Sequence, residues 1–388
     1  MHNPLRAFLT TRALLTAVVY TGVVTLPLFL VSAQILQLGR EIDFGVGRIG
    51  LATASYFGIA ALSANPAGRV ISRIGPGRGL RIGGFLAVAS CVVAALASDW
   101  WIILVAMALS GAGNGVTQVS ANVAIFDGVA AGRQGLAFGA KQASVPMAGL
   151  VAGISLPLIG LAVGWRWAFV VAGLLALVFA ISAPEPATRS RQARIEQRTG
   201  RLPRSLFLLA VAGFCAALAG NGVAHFIVPS AVDVGISEGT AGVVLAASSL
   251  FVVVVRVSAG WTVDRRRSLG HIEMASLVGL GTVGALFLMT TDSAASYLIA
   301  MPLALVGAWG WPGVFFFTVV RSYPEFPARA SGFGLSTNLT GTVLGPVVVG
   351  LLAADGNYSA AWLFVAAAAA AATFTFVLSH KKVVRVSA

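Results

Sequence analysis

Apolar runs of roughly 20 residues recur along this chain, and the short turns between them hold most of the charges. A helix of that length rises about 30 Å, the thickness of a bilayer's hydrocarbon core. A spanning helix satisfies its own backbone hydrogen bonds, so many such runs in one chain predict a helical bundle in lipid. Twelve spans are expected, at 13–36, 47–66, 80–98, 101–126, 135–161, 166–183, 205–231, 239–259, 272–290, 294–321, 331–353 and 359–379. The shortest gap is Ser98-Asp99-Trp100, between the third and fourth. The fold class read from this pattern is an all-α membrane protein with twelve transmembrane helices.

Composition agrees. Hydrophobic residues make up 57% of the 388 and charged residues only 10%, where a soluble domain carries about 25% charged. The first apolar run is too long for the core of a cleavable signal peptide. Cys91 and Cys215 each lie inside an apolar run and suggest no disulfide framework. The net charge of +13 does not imply nucleic acid, because the basic residues sit between spans, where topology needs them. With the N-terminus inside, 21 of the 26 Lys and Arg fall on inside segments. Arg40, Arg48 and Arg166 fall outside, while Lys141 and Arg256 lie within spans. This bias predicts an even number of spans with both termini cytoplasmic. The heavy use of Ala, Gly, Val and Arg suits a bacterial, GC-rich source, and the expected location is the bacterial inner membrane.

The longest and most basic turn, 184–204, divides the chain into six-span halves, 1–183 and 205–388, and is expected to be a cytoplasmic linker. The halves are related. A shift of 192 residues places Gly47 on Gly239, Gly50 on Gly242, Gly68 on Gly260 and Arg73 on Arg265. Later the shift drifts to about 195–197, with Arg133 on Arg329, Phe138 on Phe333, Gly139 on Gly334 and Trp167 on Trp362. Such a run of matches at corresponding positions marks a duplication into two pseudo-symmetric halves. Halves of this kind suit alternating access, with substrate bound between them near the midplane.

After the second span the chain reads Gly68-Arg69-Val70-Ile71-Ser72-Arg73-Ile74-Gly75, and after the eighth Gly260-Trp261-Thr262-Val263-Asp264-Arg265-Arg266. Two copies in matching turns resemble the signature of the major facilitator superfamily, roughly Gly-x-Leu-Ala-Asp-Arg-x-Gly-Arg, and the resemblance extends over essentially the whole chain. It implies a transporter in which the Asp and Arg pair with neighbouring helix ends and help latch one gating state. Gly68, Arg73, Gly75, Gly260, Asp264 and Arg265 are the gating residues so implied. Ser72 stands where the first copy would carry the Asp, so a weaker latch is expected there. The plainer alternative is that these arginines only enforce topology. Two other patterns of the superfamily are incomplete: Met107 occupies the Arg position ahead of Gly111 and Gly113, and Pro146 follows Val145 rather than Gly. Both departures count against a drug:proton exporter. The repeated glycines of these spans read most simply as close helix packing.

Ionisable groups inside spans are costly and frequently functional. All 13 acids lie in turns or near span ends, which leaves Lys141, Arg256 and His225 as interior candidates. Monocarboxylate and oxalate transporters of the superfamily are similar at the eighth span, where an Arg binds the substrate carboxylate; this implies such a role for Arg256. An Arg fork bonds a carboxylate bidentately. Lys141 lies eight residues after Arg133, as Arg256 lies eight before Asp264, so their depths match. The resemblance implies that the fifth and eighth helices face one another, which would put two cations beside one anionic substrate. The alternative is that both side chains snorkel to the interface. His225, one turn from Asn221, is the candidate proton carrier; a neutral His bonded to a neighbouring helix is the alternative. Tyr20, Asn114, Gln118, Gln142, Asn221, Trp309 and Asn338 complete the candidate substrate-binding set, as polar or amphipathic groups in an otherwise apolar cavity. Asn122, Ser144, Trp311, Thr337 and Thr340 belong to the same polar clusters.

No phosphate-binding loop, metal-ligand spacing or Ser/His/Asp set occurs. The chain is therefore read as a secondary transporter and not an enzyme, with no cofactor, no metal and no nucleic-acid partner. It is expected to act as a monomer among membrane lipids on a small, anionic substrate, with proton coupling through His225 or the substrate's own charge. The competing readings are an exporter of amphipathic drugs and, from another class, a non-transporting membrane sensor.

Overall fold

The computed structural model describes residues 4–44, 48–182, 202–291, 293–353 and 358–387. Of the predicted linker, residues 184–201 lie outside the described residues. Among the described residues the regular structure is helical, with α1 (Pro4–Ala33), α2 (Ile35–Ile42), α3 (Ile49–Ile74), α4 (Pro76–Ala95), α5 (Trp100–Gly128), α6 (Gln134–Ser155), α7 (Leu161–Val163) and α8 (Trp165–Ser182), then α9 (Arg204–Asp233), α10 (Glu238–Arg266), α11 (His271–Thr290), α12 (Ala294–Trp309), α13 (Pro312–Ser322), α14 (Pro327–Leu352) and α15 (Tyr358–Ser387). Each of the twelve predicted spans is matched by a helix or a pair of helices. Eleven described stretches are long and apolar enough to cross a membrane. The second predicted span, now α3, is not among them, because Thr53, Ser55, Ser63 and Asn65 dilute its apolar content.

Local signals set the boundaries. Gly75 at φ 83° breaks the chain after α3, a conformation that costs a Cβ-free residue little, and Pro76 then opens α4 with its fixed φ. Asp99 accepts from the Trp100 N–H and caps α5. Ser237 and Ser293 cap α10 and α12 by accepting from the N–H groups three residues on. The spans differ from expectation in several places. The first ends at Ala33, and α2 restarts at Ile35. α3 continues to Ile74, so Gly68 to Ile74 form the last two turns of a helix rather than a loop. Gly260 to Arg266 likewise close α10. The tenth span is broken at Gly310-Trp311, ahead of Pro312.

The chain forms two compact units. The first comprises residues 1–131, 141–200 and 323–336, the second 132–140, 201–322 and 337–388. In the first, α3 and α4 pack on α5, α1 lies along α5, and α8 lies against α4. In the second, α11 packs on α12 and α15, and α9 on α15 and α12. Each unit thus takes one short segment from the other half of the sequence: α6 begins in the second unit and continues in the first, and α14 does the reverse.

Small residues let these helices touch. A Cβ on Gly111 would stand 2.1 Å from the Tyr56 carbonyl oxygen, and one on Gly281 2.7 Å from the Ala308 nitrogen. Such backbone approach is characteristic of packing in lipid, where small residues replace the hydrophobic drive. Gly153 departs from that reading, with nothing within 4 Å of an added Cβ. Leu62, Leu96 and Leu351 stand 73%, 75% and 73% exposed. Large apolar side chains that open to the surroundings fit contact with lipid tails.

Candidate transport site and helix latches

In the first unit, Asn114, Gln118 and Asn122 follow one another at four-residue steps on α5, which puts them on one face. Lys141 of α6 reaches into that face. Its ammonium donates to Gln118 Oε1, and to Asn122 Oδ1 at 2.6 Å. Gln118 Nε2 in turn donates to Asn114 Oδ1 at 3.4 Å. On the far side, Asn122 Nδ2 donates to Ser331 Oγ of α14 at 2.7 Å. Lys141, Asn122 and Ser331 are each 0% exposed. The ammonium is thus held inside the unit and does not snorkel out of it. Bonds between a charged donor and a neutral oxygen are shorter and stronger than neutral ones, and they offset part of the desolvation cost of a buried cation.

In the second unit, Arg256 of α10 is buried, with its guanidinium at the end of α12. Its Nε donates to the Trp309 carbonyl at 3.0 Å, and its Cζ lies 5.4 Å from the centre of the Trp309 ring. The break after Trp309 explains this partner. The last carbonyls of a helix have no intrahelical donor, and the Arg supplies one. Trp311, just beyond the break, turns into an aromatic core with Phe315 and Phe376, and its indole N–H donates to the Ala308 carbonyl at 2.8 Å.

The other candidate residues fall into separate groups. Asn221 Nδ2 donates to the Ala217 carbonyl at 2.9 Å and to Thr342 Oγ1 at 3.2 Å. Thr342 Oγ1 donates to the Asn338 carbonyl, and Asn338 Nδ2 to the Gly213 carbonyl at 3.4 Å, which ties α9 to α14 within the second unit. His225 is exposed, and its Nδ1 lies 2.8 Å from the Asn221 carbonyl. A carbonyl only accepts, so Nδ1 carries the hydrogen of this contact. Tyr20 donates its hydroxyl to the Phe179 carbonyl of α8 and meets the Phe179 ring edge-on, outside the Lys141 network. Gln142 is buried beside Lys141 in sequence.

The two signature copies are built differently. In the second, Asp264 caps the start of α6: Oδ1 accepts from the Gly135 N–H at 2.8 Å and Oδ2 from the Leu136 N–H at 2.7 Å. These are among the first N–H groups of that helix, which lack intrahelical acceptors and favour an anion. Gly260, one turn before Asp264, permits the approach; a Cβ there would lie 2.2 Å from the Gly135 carbonyl oxygen. In the first copy, the backbones of α3 and α14 cross equally closely. A Cβ on Gly68 would lie 2.6 Å from the Ala328 carbonyl oxygen, and one on Gly332 2.5 Å from that of Ala64. Ser72, in the place of Asp264, instead donates its hydroxyl to the Arg69 carbonyl at 2.7 Å within its own helix. Arg73 and Arg265 are exposed, and Arg265 stacks over Trp261 with its Cζ 5.0 Å from the ring centre.

The described helices thus form an apolar bundle with two buried cations and a close helix crossing at each signature copy. The profile of the Major Facilitator Superfamily matches residues 12–337. The chain belongs to that superfamily. It is accordingly a multi-pass membrane transporter and not an enzyme. A comparison with curated proteins finds no match. Among solved structures of similar fold, the Escherichia coli fucose:proton symporter is 16% identical, with a TM-score of 0.74 over 95% of this chain and 98% of that one. The proton:xylose symporter XylE is 14% identical, with a TM-score of 0.79 over 96% of each chain. The human organic anion transporter MFSD10 is 14% identical, with a TM-score of 0.76 over 95% of this chain and 99% of its own.

Sequence reasoning placed Asn122 among polar residues without giving it a role, and it did not single out Ser331. The repeat Asn114, Gln118, Asn122 was a readable signal for a polar face; its partner on α14 was not. The latches predict a stability difference. Asp264→Ala removes two N–H acceptors and should cost about 1–2 kcal/mol, as loss of a helix cap does, which lowers the thermal unfolding midpoint. Ser72→Asp should raise it by supplying the missing anion. An unchanged midpoint in Asp264→Ala would remove the cap from the account.

Proposed function

We propose that this superfamily member moves a small organic or inorganic anion by alternating access, and that Lys141 and Arg256 are the cations the substrate engages. The observation that carries the proposal is the fully buried Lys141 ammonium bonded to the amide oxygens of Gln118 and Asn122. A carboxylate is a stronger acceptor for such a donor than an amide, so an anion entering the site would displace neutral partners favourably. Arg256 donates through Nε to the Trp309 carbonyl, and a planar guanidinium fork matches the geometry of a carboxylate. Asn114, Gln118 and Gln142 would orient the substrate, with Asn221, Asn338 and Trp309 doing so in the second unit and Tyr20 fixing α1 against α8. His225 would carry a coupled proton; a symporter or an antiporter would both use it. Solved structures of this fold include proteins named as proton symporters and one named as an organic anion transporter, so the fold accommodates both features.

The charge distribution supports an orientation with both termini in the cytoplasm, and the composition supports a bacterial inner membrane. The domain reading that goes with it is two six-helix halves, 1–183 and 205–388, joined by the 184–204 linker, acting as a monomer.

A thermal-shift panel on the purified protein tests the substrate class. It would hold small carboxylates and inorganic anions beside sugars, lipophilic cations and neutral drugs. A ligand of the folded state at a hundredfold excess over Kd adds about 2–3 kcal/mol. One anion class should raise the midpoint, and the shift should vanish in Lys141→Ala or Arg256→Ala. Stabilisation by neutral drugs alone, indifferent to both substitutions, would reject the anion reading in favour of the amphipathic exporter. Proton coupling is tested separately in proteoliposomes. His225→Gln should keep the ligand-induced shift and abolish the dependence of uptake on a proton gradient; uptake that still follows the gradient would exclude His225 as the carrier.

A further inference from the structure

The Asn122 side chain joins two things that sequence separates by almost 200 residues. Its oxygen accepts from the Lys141 ammonium at 2.6 Å, and its nitrogen donates to Ser331 Oγ at 2.7 Å. All three residues are 0% exposed, so water does not compete for these bonds in this arrangement. Ser331 is next to Gly332, whose backbone lies against Ala64 and Gly68 of α3. Ser336, one and a half turns further along α14, donates to the Ala61 carbonyl of the same helix at 2.6 Å. The ties of the start of α14 to the first unit thus include backbone contact with α3, the Ser336 bond to Ala61, and the hydrogen bond from Asn122.

The first signature copy lacks the acid that caps α6 in the second copy. Ser72 is turned onto its own helix. Where Asp264 supplies a charged tie to a helix start, the first unit offers the Asn122–Ser331 bond. That bond differs from the Asp264 cap in one respect: the same amide is bound to a charged group on its other end.

We propose that Asn122 is a positioning residue that couples the state of Lys141 to the hold of the first unit on α14. An amide group is rigid and planar, so its two ends cannot be oriented independently. While Lys141 donates to Oδ1, the amide is fixed with Nδ2 aimed at Ser331, and the donated proton polarises the amide so that Nδ2 is a better donor. When Lys141 is drawn to another acceptor, Oδ1 loses its charged donor, the amide is released to rotate, and the tie to Ser331 weakens. The start of α14 then loses one of its ties to the first unit and keeps its contacts with α3. This inference depends on Lys141 being engaged during the transport cycle, but not on which ligand engages it.

The test needs no ligand. Ala64, fully buried against Gly332, is replaced by Ala64→Cys after Cys91 and Cys215 are changed to Ser, and its rate of labelling by a maleimide reports separation of α3 from α14. Lys141→Gln and Ser331→Ala are then introduced singly and together. Each alone should raise the labelling rate several-fold, and the pair no more than either single change, because both break one relay. Ser331→Thr, which keeps the hydroxyl, should restore the original rate. Asn122→Leu should match the double variant and make it insensitive to either further change. Rates that multiply in the pair would overturn the proposal, as would a rate unchanged by Ser331→Ala. Should Ser331→Ala fail to fold, Ser331→Val takes its place under the same criteria. Failure of the anion reading appears in the thermal-shift panel and leaves this ligand-free result intact, so the two are distinguishable.

Discussion

An ammonium group held away from water is costly to place, and the first unit is built around the means of holding one. Lys141 sits on α6 with its head group between two amides of α5, and those amides stand four residues apart so that one helix face presents both oxygens. The same face continues to Asn114 through Gln118, and across to α14 through Asn122. One buried charge thereby orders side chains on α5, α6 and α14. The arrangement resembles a site more than a core, since replacing such a group by an apolar residue of similar size is often neutral or favourable for stability alone.

A second constraint is the distance between helix axes. Neither latch forms unless the backbones touch, and each crossing has glycine on both sides: Gly260 with Gly135, and Gly68 with Gly332. At the first of these, Asp264 adds a charged cap on the start of α6; at the second, Ser72 does not, and α14 is tied by Asn122 from another helix instead. The internal duplication thus preserves the crossing geometry and changes the chemistry that fastens it. A cap made by an acid is indifferent to Lys141. A tie made by Asn122 is not.

Much of the fold was legible in the sequence because lipid imposes a length and a composition that survive in any single run. Each apolar stretch became helix, and the short gap at Asp99 proved to be a capped helix start. Boundaries governed by backbone alone were less legible. Apolarity fades before Gly68, yet α3 continues to Ile74, since nothing stops a helix until Gly75 adopts positive φ. The break at Gly310 lies inside an apolar run, and hydropathy gives no sign of it. For the site, the interior charges were found by elimination, since so few exist. Their partners were not found, because a carbonyl such as that of Trp309, or a hydroxyl such as that of Ser331, carries no signal in sequence until tertiary packing brings it near. Tyr20, a polar group inside a span, also has a partner that the sequence does not show, the Phe179 carbonyl of a neighbouring helix.

Lys141, on this reading, is held ready for an anion. Solute counterflow in proteoliposomes tests it most directly, with a carboxylate and its uncharged amide analogue compared in the unaltered protein and in Lys141→Gln. Exchange of the carboxylate should be about tenfold or more faster than that of the amide, with that preference lost in Lys141→Gln. Equal exchange of both solutes, unchanged by the substitution, would contradict it.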